Sequence, residues 1–197
     1  MLVEGIKSRP VYTGLKLDAC ARHHLVALEG QGAEAALDMF RDAPAGALAC
    51  ATLLYVGNAG NAAALKALGA DSCDVFPSIP TLLIRLKGYL VTAKMTTRLY
   101  VAGTEGFIGQ AMQLALDHGI DFHSVLTEHR GSLARRVQCV HCKGMTENVT
   151  TNFVQCQHCG VHLLVRDHFS RRLGAFMGVS ANAEAPHEIP QAEEIFK

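Results

Sequence analysis

The 197-residue sequence has no surplus of charge of either sign: eighteen basic residues are matched by eighteen acidic ones. That balance removes the electrostatic attraction by which proteins condense onto a nucleic-acid backbone or an anionic membrane. No hydrophobic run is long enough to span a bilayer, the longest being Ala45 to Val56. Met1 to Pro10 has no apolar stretch behind a basic flank, so no secretory signal is expected and a cytoplasmic location follows. Internal repeats and low-complexity tracts are also absent, which excludes a solenoid. Nor is there an even set of cysteines. Of seven, four form two CxxC pairs, while Cys20, Cys50 and Cys73 are scattered through apolar stretches. In a reducing compartment this favours metal thiolates plus three buried thiols over a disulfide framework.

What is present is a chain 49% hydrophobic and 18% charged, enough for one α/β domain with a small appendage. From His23 to Arg130, short apolar runs alternate with segments of helical period, as in βαβ units of a parallel sheet. Five strands are expected: Leu25–Leu28, Leu53–Val56, Cys73–Phe76, Arg98–Gly103 and His123–Thr127. The intervening helices carry apolar faces such as Ala36, Leu37, Met39 and Phe40 in the first, and Leu82, Leu83, Leu86 and Leu90 in the third. Pro80 suits a first helical turn, and Gly69 and Gly119 suit helix ends. The fold class is therefore α/β, a five-stranded doubly wound parallel sheet followed by a small β zinc ribbon. The expected division is an N-terminal arm at 1–22, the α/β domain at 23–136, the ribbon with a short amphipathic helix (Asp167 to Met177) at 137–180, and a loose acidic tail at 181–197.

The strongest chemical signal is Cys139-x2-Cys142-x13-Cys156-x2-Cys159. Each CxxC bends two sulfurs toward one point, and a β-hairpin joining them, with strands at Asn148–Val154 and Val161–Val165, would close a tetrahedral site. Four protein ligands leave no coordination position for water, so the site is expected to be structural, with zinc as its metal and iron or a redox dithiol as alternatives. Gly144 and Gly160 follow the two pairs, where a backbone turning around a metal commonly needs positive φ. His141, His158 and His162 lie close by and read as solvated or supporting groups rather than ligands.

Two glycine turns, Gly30-Gln31-Gly32 and Gly103-Thr104-Glu105-Gly106, each lie between a strand and a helix. Such turns expose backbone N–H groups that hold phosphate, though tight β-to-α turns also use glycine for steric reasons alone. Gly30, Gly32, Gly103 and Thr104 are thus candidate cofactor-binding positions. Glu128 and His129, at the end of the last strand, are a candidate acid–base pair or a plain polar strand end.

In order along the chain, Leu28-Glu29-Gly30-Gln31-Gly32, Tyr100-Val101-Ala102-Gly103-Thr104 and Leu126-Thr127-Glu128 resemble the glycine-rich first turn, the Cys-Gly-Pro turn and the last strand of the nicotinamide-binding half of ferredoxin reductases. The departures are a first turn without the following Thr-Pro, and Ala102 and Thr104 in place of Cys and Pro. The missing cysteine sits near the reactive nicotinamide carbon in that family, so the resemblance does not carry hydride transfer to this chain.

The segments Leu164–Leu173, Phe176–Val179 and Ala183–Pro186, together with the cysteine ribbon, resemble the dimethylamine monooxygenase subunit DmmA family. The resemblance implies a component of a multi-subunit haem-dependent oxygenase that converts dimethylamine to methylamine and formaldehyde, with electrons from NADPH through flavin and an iron–sulfur centre. This sequence has motifs for none of those groups, so haem, FMN and iron–sulfur are expected on partner chains only. The chain would then be an accessory subunit supporting assembly or the electron path. Arg166, His168, Phe169, Arg171 and Arg172, with Phe176, would offer an interface to other subunits, or else a face packed on its own domain with solvated arginines. The alternative is a stand-alone nucleotide-binding or NAD(P)-dependent reductase-like protein. A nucleic-acid-binding ribbon is disfavoured, because the ribbon lacks a basic and aromatic face.

Overall fold

The computed structural model describes residues 8–44, 46–185, 187–189 and 191–197. The first seven residues of the expected arm, Ala45 in the apolar run and Pro186 of the family motif lie outside the described residues. The chain divides into two compact units. One is Tyr12–Gly131; the other combines Met1–Val11, of which 8–11 are described, with Ser132–Lys197.

The first unit holds β1 (His23–Glu29), α1 (Gly32–Arg41), β2 (Ala51–Val56), α2 (Ala59–Ala67), β3 (Ser72–Phe76), α3 (Ile79–Val91), β4 (Thr97–Gly103), α4 (Glu105–Asp117) and β5 (Val125–His129). Its sheet is wholly parallel, with order β3-β2-β1-β4-β5. Helices cover both faces, which explains why the central strands read as unbroken apolar runs rather than as alternations. Leu25, Ala27, Leu99 and Val101 point to a core shared with α3 and α4, while Val26, Leu28, Tyr100 and Ala102 point to one shared with α1. The helix starts follow local chemistry. Asn58 caps α2 by accepting from the Asn61 N–H at 2.8 Å, and Ser78 with Thr81 forms a capping box at α3. The fifth strand begins two residues later than expected, because Phe122–Ser124 form a 3-10 turn held by Asp121 accepting from the His123 N–H.

Residues 12–18, assigned from sequence to an arm, pack into this unit. Leu15 and Leu17 join the α1-side core, the Leu15 N–H donates to Glu128 at 2.7 Å, and Asp18 pairs with Arg98 at 2.6 Å.

The second unit is a five-stranded sheet built from β6 (Arg135–Cys139), β7 (Met145–Val149), β8 (Phe153–Gln155), β9 (His162–Ser170) and β10 (Ala175–Ser180), in the order β7-β6-β10-β9-β8. β6 and β10 run parallel; the other pairs are antiparallel. The expected hairpin strands are therefore part of a larger sheet, and the segment Asn148–Val154 is split between the end of β7 at Val149, where Asn148 has positive φ, and the start of β8 at Phe153.

The short helix expected at Asp167–Met177 is instead the β9–β10 hairpin, turning at Gly174 with φ +56°. Aromatic and apolar residues spaced as Phe169, Leu173 and Phe176 fit a helical stripe. The ladder partners on β8, β6 and β10 decide the matter, and along β9 the burial alternates, with Leu163 and Val165 inward and Arg166 and His168 exposed. The tail is not loose either. Ile195 and Phe196 donate their N–H groups to the Thr150 carbonyl at 2.9 and 2.8 Å, and Phe196 is buried against Val137, Leu163 and Phe176. The three scattered cysteines also differ from expectation: Cys20 and Cys50 are exposed and Cys73 is partly so, because each sits beside a turn or at a sheet edge rather than in a core layer. Among the described residues no helix is long and apolar enough to cross a membrane.

Candidate metal centre and sheet crevice

The four CxxC cysteines converge. Cys139 ends β6, Cys142 and Cys159 lie in turns, and Cys156 follows β8. Their Sγ atoms all lie within 4.8 Å of one another, with Cys139–Cys159 at 3.8 Å and Cys142–Cys156 at 3.7 Å. Zinc–sulfur bonds of about 2.3 Å in a tetrahedron require sulfur–sulfur edges of about 3.8 Å. The donor set and its spacing therefore fit a tetrathiolate metal site.

Each pair is shaped by its own turn. In the first, Lys143 and not Gly144 takes the positive φ, at 65°, and the Lys143 N–H donates to the Cys139 carbonyl. Gly144 is needed for another reason: a Cβ there would meet the His158 ring at 2.4 Å. His158 in turn donates through Nε2 to the Met145 carbonyl at 2.8 Å, clamping the two turns together. In the second, Gly160 has φ +75° as expected, and its N–H donates to the Cys156 carbonyl. As free thiols the four are electrostatically uneven. Burial opposes ionisation of Cys156, but N–H donors from Cys159 and His158 and the thiols of Cys159 and Cys142 outweigh it, bringing its pKa down to about 6. The Val161 N–H assists Cys159, yet burial and the three surrounding sulfurs push it up to about 12. A divalent cation held by the four sulfurs would displace their thiol protons.

The crevice at the C-terminal edge of β1 and β4 is where an open α/β sheet of this order changes direction and binds ligands. Here the donors of Thr104 are already engaged. Glu29 accepts from both the backbone N–H and the hydroxyl of Thr104, each at 2.7 Å, at the first turn of α4. A Cβ on Gly103 would meet Glu29 at 2.8 Å, and one on Gly32 would meet the Ala102 carbonyl oxygen at 2.1 Å. Gly32 and Gly103 thus have steric roles, and Gly30 turns the chain with φ +54°. Glu128 accepts from the Leu15 N–H and from Arg130, and Arg130 also faces Asp38 and Glu34. Tyr12 donates to Glu105 at 3.2 Å and stacks against His129; burial, then Glu105, push its hydroxyl far above the usual phenol range. Five carboxylates thus gather here, three of them, Glu34, Asp38 and Glu128, on the Arg130 guanidinium.

The residues expected to form an interface separate. Arg166, His168, Arg171 and Arg172 are exposed, but Phe176 is buried and packs edge-on to Phe169 at 5.1 Å, so these rings anchor the unit's own core. Sequence reasoning missed Glu29, because a single carboxylate beside a glycine turn carries no periodic signal. It also missed Arg135, whose guanidinium lies 3.9 Å from the Phe176 ring centre and 3.7 Å from that of Phe196, and pairs with Asp167 at 2.6 Å.

Comparison with known proteins gives two family matches, to the dimethylamine monooxygenase subunit DmmA-like N-terminal domain over residues 4–125 and C-terminal domain over residues 136–179. A curated relative, the heme-dependent oxidative N-demethylase delta subunit of Ectopseudomonas mendocina (strain ymp), is 35% identical over 113 residues. The match covers 57% of this chain and spans 65% of that relative's length. Among solved structures, phthalate dioxygenase reductase overlaps 68% of this chain and 46% of its own, with TM-score 0.47 and 17% identity. The ferredoxin reductase of carbazole 1,9a-dioxygenase overlaps 58% and 34%, with TM-score 0.40 and 12% identity. With both family domains matched in order along the sequence, this chain belongs to the dimethylamine monooxygenase subunit DmmA-like family.

Proposed function

We propose that this chain is a non-catalytic subunit of a multi-subunit, haem-dependent oxidative N-demethylase acting on dimethylamine, and that its four-cysteine site holds structural zinc. The overall reaction consumes dimethylamine, dioxygen and two reducing equivalents, and yields methylamine, formaldehyde and water. The observation that carries the reading is the state of the sheet crevice. A turn that binds an anionic dinucleotide offers it free N–H groups and no like charge; here, at the β4–α4 turn beside the first one, Glu29 takes the Thr104 donors, and Glu34, Asp38 and Glu128 surround Arg130, the one cation described at this edge. Phosphates brought to that edge meet like charge. The chain's own residues are thereby suited to hold shape and partners, and haem, flavin and iron–sulfur chemistry is assigned to other chains.

For the metal, Cys139, Cys142, Cys156 and Cys159 would supply all four ligands, so the bound ion fixes the fold and has no position for substrate. Four thiolates around a divalent ion leave two negative charges, which the surrounding N–H groups offset. Zinc fits this set better than iron on availability and lack of redox chemistry. The test is co-expression with neighbouring gene products, followed by metal, haem and flavin analysis of the purified assembly and assay of formaldehyde release from dimethylamine. The reading requires assembly, about one zinc per copy of this chain, and formaldehyde only when this chain is present. Saturable NADPH binding by the isolated chain would instead favour a nucleotide-binding reductase-like protein.

A further inference from the structure

The helix α3 is apolar on two sides. Leu82, Leu86 and Leu90 fill the core, as a sheet-covering helix requires, but Ile84 and Val91 stand on the opposite side at a spacing of two turns and are 73% and 68% exposed. Met95, just beyond the helix, continues the stripe at 96% exposure, and Gly88 between them has nothing within 4 Å of where its Cβ would be. A surface helix ordinarily puts charged and polar residues there. Grouped apolar side chains on an otherwise polar surface mark places where another surface docks.

The charge around the stripe is of one sign. Residues 75–104 contain no aspartate or glutamate, and four cations: Arg85, Lys87, Lys94 and Arg98. Arg98 is held by Asp18 and Arg85 faces Asp74. Lys87, Lys94 and the nearby Arg22 have no ion pair among the described residues. Arg22 and Lys94, together with His23, Tyr89 and Thr97, line a hollow of about 570 Å³ beside the end of α3, and no acidic residue lines it. The chain as a whole is neutral, so this concentration of unpaired positive charge around exposed apolar side chains is local to one face.

We infer that the outer face of α3 is the docking surface for another subunit of the demethylase, one presenting an apolar ridge rimmed by aspartate or glutamate. Ile84, Val91 and Met95 form the dry centre of the contact, Gly88 lets the partner backbone approach, and an acidic side chain enters the hollow between Arg22 and Lys94. Such an arrangement follows the usual anatomy of interfaces, an apolar centre with a charged rim that sets orientation and association rate. The occupant rests on the subunit reading given above.

The full-length chain, co-expressed with the other subunits, tests this with three variants: Ile84→Asp with Val91→Asp, Arg22→Glu with Lys94→Glu, and Lys66→Glu on α2 as a control on the other face of the sheet, with the same charge change as the first variant and half that of the second. Each is first checked for native circular dichroism. The wild type and the control should co-purify with the complex, while the two α3-face variants lose affinity by about tenfold or more. Wild-type association should weaken as salt rises, and amide exchange in α3 should slow on assembly. Undiminished binding by both α3-face variants, or unchanged α3 exchange in an assembled complex, overturns the docking surface and leaves the subunit reading intact. A wild-type chain that assembles with no other subunit overturns both.

Discussion

Phe196, the penultimate residue, offers the sharpest check on how the second unit is held together. Its ring is 6% exposed, packs with Val137, Leu163 and Phe176, and forms one wall of the slot around the Arg135 guanidinium. Cutting a buried phenylalanine to alanine costs about 3–5 kcal/mol when the surroundings cannot collapse into the space. Collapse is restricted here, because the tail backbone is tied at Ile195 and Phe196 to Thr150, at Glu193 to Asn152 and at Lys197 to Leu133. The variant also bares one face of a cation that Asp167 holds in place, so the expected loss lies toward the upper part of that range. With a urea slope of about 1–3 kcal/mol per molar, the unfolding midpoint should fall by at least about 1.3 M, and by about 2 M at a mid-range slope. Phe196→Leu keeps most of the apolar volume and loses the ring–cation contact, worth about 0.5–2 kcal/mol, so its midpoint should fall by less than half as much. The assay is urea unfolding of the zinc-loaded full chain freed of excess metal, read by release of zinc to a chromogenic chelator. A Phe196→Ala midpoint within about 0.3 M of wild type, equivalent to under about 1 kcal/mol, would show that the tail only lies on the surface.

Three further perturbations follow from the same geometry. Cys156→Ser, or prolonged exposure to a strong chelator, should abolish metal binding and the protease resistance of residues 132–197 while the helical circular dichroism of the α/β unit persists; a chelated chain with unaltered resistance would remove the structural role of the site. Glu29→Ala should destabilise the α/β unit by about 1–3 kcal/mol, since it strands two donors at the start of α4, and Glu29→Gln should cost less; equal stability of both with wild type would mean the contact is idle. His24 is buried against Tyr100, and burial, then His23, lower its pKa against a smaller opposing effect of Asp18. The unfolded chain therefore takes up that proton first as pH falls, so the His24 contribution is complete above about pH 6.5 and declines as pH drops from there toward its lower folded value. His24→Gln should flatten the acid limb of α/β-unit stability between about pH 7 and 5, and an unchanged limb would assign the dependence to other groups.

The α/β half was legible because its signals are local and repeated. The central strands β1, β2 and β4 are apolar runs buried on both sides, α2, α3 and α4 start at capping side chains, and residues such as Asn58, Ser78 and Pro80 mark boundaries without reference to anything distant. The cysteine quartet was legible for a similar reason, since two short spacings specify two turns. The β9–β10 hairpin was not, because over eleven residues the period of Phe169, Leu173 and Phe176 suits a helix, and only the ladder to β8 and β6 selects a strand. The docked tail and the Glu29–Thr104 contact were hidden by distance: 75 residues separate Glu29 from Thr104, and a lone acidic or aromatic side chain announces no partner so far along the chain.

Those hidden contacts bear directly on function. A glycine turn before a helix is compatible with a ligand and with plain geometry, and sequence cannot choose between them. What chooses is where the neighbouring donors and charges go. At Thr104 both donors converge on one carboxylate oxygen, and at the far side of the same edge the single guanidinium of Arg130 is shared among three acids. To place a diphosphate there, the chain would have to expose Glu29 to water, break two short charge-assisted hydrogen bonds and accept two or more new negative charges among those already present. Each of those steps opposes binding, and no described side chain at that edge supplies a free cation to offset them. The edge of this parallel sheet at β1 and β4 is thus occupied by its own carboxylates, and a ligand that neutralises or avoids them, rather than a diphosphate, is the kind it could admit.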